Sequence, residues 1–118
     1  MVWPVAVVRG LVIKASALAD HVIARVLRRA VHVAARLYGK ARARANEAQA
    51  AAAAGDTDRA RRLFAQAETI ARTISDRFLR AEALAGLAQA VAAAGDQDRG
   101  ERIAGTIRAP FLRVRALA

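Results

Sequence analysis

The chain has 118 residues and a mass of 12.5 kDa, enough for one hydrophobic core and too little for two independent ones. Hydrophobic residues make up 56% but include only three Phe, one Tyr and one Trp, so alanine dominates and any core is thin and close-packed. The absence of cysteine excludes disulfides, thiolate catalysis and cysteine-type zinc sites, and it is compatible with a reducing cytoplasm, the expected location. The net charge of +10 is concentrated at the front: residues 1–47 hold nine Lys/Arg against two acids, and residues 48–118 hold eleven against eight.

Alanine is the strongest helix former and Pro occurs only at positions 4 and 110, so an all-α fold follows. Residues 1–39 are read as the first domain, one long or broken amphipathic helix. Its opening, MVWPVAVVRGLVIKASALADHVIARVL, is interrupted by Arg9, Lys14, Asp20 and Arg25, which excludes a bilayer-spanning helix of about 20 apolar residues. A signal peptide wants its charge before an unbroken apolar run, and here the order is wrong. On a helical projection Lys14, His21, Arg25, Arg28, His32 and Arg36 share one face, while Leu11, Ala15, Leu18, Val22, Val26, Val33 and Leu37 lie opposite or alongside. Such a helix either packs its apolar side on the rest of the chain, leaving arginine in water, or meets nucleic-acid phosphates or an anionic membrane surface.

Residues 40–118 repeat. AAAAGDTDRARRL at 51–63 returns as VAAAGDQDRGERI at 91–103, an offset of forty that pairs Gly55 with Gly95, Asp56 with Asp96 and Arg59 with Arg99. Further on, TIARTISDRFLRAEAL at 69–84 matches RIAGTIRAPFLRVRAL at 102–117 at an offset of thirty-three. The seven residues lost are close to two helical turns, so a helix is shortened while its buried face keeps its direction. The spacing predicts helices over about 40–54, 57–74, 77–94, 97–108 and 110–118. Their apolar stripes are Leu63, Phe64, Ala67, Ile70, Ala71 and Ile74; then Ala81, Leu84, Leu87, Ala88 and Val91; then Ile103, Ala104 and Ile107. Helix 40–54 has Arg44 and Glu47 where the next copy has Leu84 and Leu87, and reads as a polar, degenerate copy. Gly95 ends a helix, Asp96 or its successor caps the next, and Ser75 or Asp76 caps the helix at 77. The last helix starts at Pro110 and is half the length of its equivalent.

The segment ALAGLAQAVAAAGDQDRG, with Leu84, Leu87, Ala88, Val91, Gly95 and Gly100 at the positions of large, small and turn residues, resembles the tetratricopeptide family of helical-hairpin repeats. The match covers about 40–118 with two partial units. The period of forty instead of thirty-four and the absence of Trp or Tyr at the signature positions mark it as divergent. The resemblance implies an α-solenoid, tetratricopeptide-like, whose first helices line a groove that binds a peptide or protein partner. The groove positions it implies are Arg42 and Gln49, then Glu82, Ala85, Gln89 and Ala92, then Arg115. An unfinished last repeat further implies self-association.

Other chemistry finds little support. GDTD and GDQD resemble the opening of a calcium loop, but position twelve from Asp56 is Ala67 and from Asp96 is Ile107, so the closing Glu is missing. Aspartates in a first helical turn serve instead as caps. His21 and His32 stand eleven residues apart, about 16 Å along a helix, too far for one metal ion. No nucleophile motif surrounds Ser16 or Ser75. The expectation is a non-catalytic scaffold without metal or cofactor, with a basic adaptor for nucleic acid or anionic lipid as the alternative.

Overall fold

A computed structural model describes the backbone of residues 5–107 and 116–117 and the side chains of residues 16–107 and 116–117. Helices α1 (Val5–Ala53), α2 (Thr57–Arg72), α3 (Arg77–Ala93) and α4 (Gln97–Gly105) follow one another, and Ala116 and Leu117 are again helical. Among the described residues there is no strand, and the protein is all-α. By its contacts the chain divides into two units, residues 1–32 and 33–118. Helix α1 runs unbroken past residues 39 and 40, where the sequence reading drew its boundary, and takes Gly39 into its interior. The helix-forming residues on either side outweigh the roughly 1 kcal/mol that one glycine costs.

The two GD corners are built alike. Gly55 and Gly95 have φ of 83° and 102°, the left-handed conformation that glycine adopts without a side-chain clash. Asp56 N–H donates to the Ala51 carbonyl (2.9 Å) and Asp96 N–H to that of Val91 (3.2 Å), which closes the end of each preceding helix. The same aspartates then start the next helix: Oδ1 of Asp56 accepts from Arg59 N–H at 3.2 Å, and Oδ1 of Asp96 from Arg99 N–H at 3.1 Å. Of Ser75 and Asp76, Asp76 is the cap, accepting from Leu79 N–H at 2.8 Å.

Helix α2 has 16 residues and α4 has 9, a difference of seven, as the change of offset requires. They also end alike, earlier than the expected 74 and 108. Thr73 and Thr106 terminate them, each hydroxyl donating at 2.7 Å to the carbonyl three residues back, Ile70 and Ile103. A threonine bonded to its own helix end competes with continuation of the helix. Ile74 and Ile107 follow, outside the helices and fully buried. Of the expected helix 110–118, residues 110–115 and 118 lie outside the described residues.

The core belongs to the second unit. Among the described residues fourteen of the twenty-two buried apolar side chains are alanine, so the core gains its area from close approach of backbones more than from large side chains. The stripes of α2, α3 and α4 are buried as their spacing predicts, with Ile70 at the margin. Helix α3 packs against both α2 and α4, and accordingly buries Ala85 and Ala90 besides its stripe. At Gly100 of α4 a methyl group would stand 2.9 Å from the Ala88 carbonyl oxygen and 3.1 Å from the Ala92 methyl, so only glycine permits this approach. Helix α1 joins the core through Ala41, Ala45, Ala48 and Ala51. Arg44 and Glu47, exposed, form an ion pair at 3.5 Å. Glu68 of α2 meets Arg72 at 3.1 Å and reaches Arg99 of α4 at 3.9 Å.

Candidate functional site

Within the second unit, the final turns of α1 and helix α3 enclose an open cleft of about 460 Å³. Helix α1 contributes Arg42, Asn46 and Gln49; α3 contributes Glu82, Gly86 and Gln89. The steps of four and three are the same on both helices and keep each trio on one face. The trios correspond at an offset of forty: 42 with 82, 46 with 86, 49 with 89. The apolar floor comes from Ala41 and Ala45 of α1 and Ala83, Leu87 and Ala90 of α3, and Tyr38 lies half-buried at its edge.

Four groove positions expected from the sequence therefore line one concavity: Arg42, Gln49, Glu82 and Gln89. Two residues that the reading missed, Asn46 and Gly86, complete the trios. The forty-residue offset could have found both, because each completes a three-and-four step in its own copy. Ala85 is a correction: it is fully buried in the core, since α3 is covered on more than one side and the position next to Leu84 turns inward. Ala92 is half-buried and borders, with Gln89, a separate cleft of about 360 Å³ that also takes in Gln97, Glu101 and Leu117. Arg115 lies outside the described residues.

The main cleft carries one guanidinium, one carboxylate and three carboxamides over a floor of four alanines and Leu87. Carboxamides donate and accept together, the pattern that pairs with peptide N–H and C=O groups. The alanines of that floor let a polypeptide backbone approach closely. A broader concavity of about 1240 Å³ borders Arg72, Phe78, Arg80 and Thr106. Two of its arginines have structural work: Arg72 pairs with Glu68, and the Arg80 guanidinium donates at 3.0 Å to the Ile74 carbonyl just past the end of α2. Among the described residues no three His, Asp or Glu gather where a metal ion could be held, and no helix is long and apolar enough to cross a membrane.

In the first unit His21, Arg25, Arg28 and His32 are exposed on α1, as is Arg36 just beyond it; Lys14 belongs to α1 but its side chain lies outside those described. The Arg25 guanidinium stands 3.3 Å from Nε2 of His21, and Nε of Arg28 donates at 3.3 Å to the Ala24 carbonyl. Leu18, Val22, Val26 and Val33 are each more than half exposed, and Leu37 is half-buried. The side chains of Leu11 and Ala15 lie outside those described.

No family model, curated protein or solved structure matches this chain.

Proposed function

We propose that this protein is a non-catalytic interaction module of tetratricopeptide-like helical repeats that holds a peptide or protein segment in the cleft between α1 and α3. One observation carries the reading. Polar residues forty apart in the sequence, Arg42 with Glu82 and Gln49 with Gln89, face a single cleft, and the pair Asn46 with Gly86 stands between them. A repeated binding face is the use to which stacked helical hairpins are put, because equivalent positions of successive units align along one concave surface. The exposed carboxamides would bond the main chain of the ligand, and Arg42 and Glu82 would select its charges.

The test is selection of ligands for the full chain from a random peptide library, followed by titration against three variants. Gly86→Leu places a bulky side chain in the cleft where a Cβ has open space within 4 Å, so it obstructs the cleft without disturbing the core. Gln89→Ala and Glu82→Arg remove or reverse polar contacts. Gly86→Leu should weaken selected peptides at least about tenfold, corresponding to roughly 1.4 kcal/mol. Undiminished affinity in all three variants would place binding elsewhere and defeat the reading.

A further inference from the structure

The first unit holds a surface that the cleft does not use. Between residues 16 and 32 the large apolar side chains Leu18, Val22, Ile23, Val26, Leu27 and Val31 are all more than half exposed, Leu18 most of all at 67%. At about 100° per residue they spread over a sector roughly 220° wide. The remaining sector, about 140° wide, carries His21, Arg25, Arg28 and His32, and Arg29 falls just inside the apolar sector between Leu18 and Val22. Asp20, the one acid in this stretch, falls near the edge of the apolar sector between Leu27 and Val31, and among the described residues no ion pair engages the arginines.

We propose that residues 16–32 of α1 lie in the surface of an anionic lipid bilayer, with the apolar sector in the acyl boundary and the basic sector among the headgroups. Two properties must be satisfied together, and the bilayer surface satisfies both. Its interior takes apolar side chains over a wide arc, and its phosphates and carboxylates neutralise the arginines. Arg25 and Arg29 flank Leu18 in projection, so their long stems lie along the apolar boundary while the guanidinium groups reach the headgroups.

A nucleic acid would engage the basic sector alone and leave six large apolar residues in water. A second copy of the helix fits no better. A two-helix seam needs apolar residues every three and four positions along a narrow stripe. An uncharged seam at steps of four and three does exist, through Ala19, Ile23, Val26, Ala30 and Val33, but its narrow stripe leaves Leu18 and Val31 in water and the arginines unneutralised.

The experiment is co-sedimentation of the full chain with phosphatidylcholine vesicles, with and without phosphatidylserine, at low and at physiological salt. Retention is expected on the anionic vesicles, at least about tenfold above that on phosphatidylcholine alone, and it should fall as salt screens the arginines. Val22→Asp with Val26→Asp should abolish retention, and Arg25→Glu with Arg28→Glu should lower it about tenfold or more. Asp20→Asn, which removes the opposing charge, should raise it. Circular dichroism checks that each variant keeps its helix. No retention on anionic vesicles overturns the proposal. So does duplex DNA binding that survives Val22→Asp with Val26→Asp while vesicle binding is absent, and so does a dimer in light scattering that those substitutions dissolve without any lipid effect. Because peptide binding is read in the second unit, a failure here leaves the cleft assignment standing, and the reverse also holds.

Discussion

Gly86 and Gly100 both lie within helices, yet a methyl group meets opposite surroundings at the two positions. At Gly86 nothing lies within 4 Å of the added carbon, so Gly86→Ala should stabilise the fold by roughly 0.5–1 kcal/mol through reduced freedom of the unfolded chain. At Gly100 the added carbon meets the Ala88 carbonyl oxygen at 2.9 Å, and backbone cannot step aside as a flexible side chain would. Gly100→Ala should cost about 1–3 kcal/mol through overpacking between α3 and α4. Chemical denaturation of the two variants, compared at constant slope, measures the difference in sign. The aspartates of the GD corners belong to the same scale. Each carboxylate accepts a backbone N–H three residues ahead, so the resemblance to a calcium loop has a structural origin in helix capping.

Among the elements, α2 and α4 are two lengths of one design. Both start at an Asp cap after a left-handed glycine, and both stop at a threonine that bonds back to an isoleucine carbonyl. Seven residues, the difference between them, turn a helix to within about 20° of its starting direction. Inserting seven helix-forming residues after Gly100 should therefore leave Ile103 and Ala104 facing the core and preserve a cooperative thermal transition. Inserting five should rotate them by about 140° and abolish it. The large apolar side chains of α2, α3 and α4 made their buried faces legible from spacing alone. The second half of α1 was not legible in that way. Ala45 and Ala48 are buried while Ala50 and Ala53 are exposed, and alanine offers too little area for its position to mark a face. The visible polar residues Arg44 and Glu47 suggested a degenerate helix, whereas the alanines beside them carry the contact.

At the scale of the molecule, the buried residues among those described fall in the second unit, from Ala34 to Ala116. A chain shortened to residues 33–118 should keep a cooperative unfolding transition by circular dichroism and keep any peptide affinity of the cleft, while losing retention on anionic vesicles. A loss of cooperativity on removal of residues 1–32 would mean that the first unit supports the core.

The amino-acid order alone carries the helical class, both GD corners, the seven-residue shortening and the buried faces built from Leu, Ile and Phe, because these follow from local propensity, capping chemistry and the helical period. Four of the cleft residues were also within its reach, through the resemblance to tetratricopeptide repeats, and the forty-residue offset extends them to Asn46 and Gly86. It took the packed helices to show that Ala85 turns inward, that Gly100 is a contact between helices, and that α1 contributes alanines to the core. Each of these depends on which neighbour covers a helix from a second side, and a one-dimensional period specifies one buried face without identifying what packs against the others.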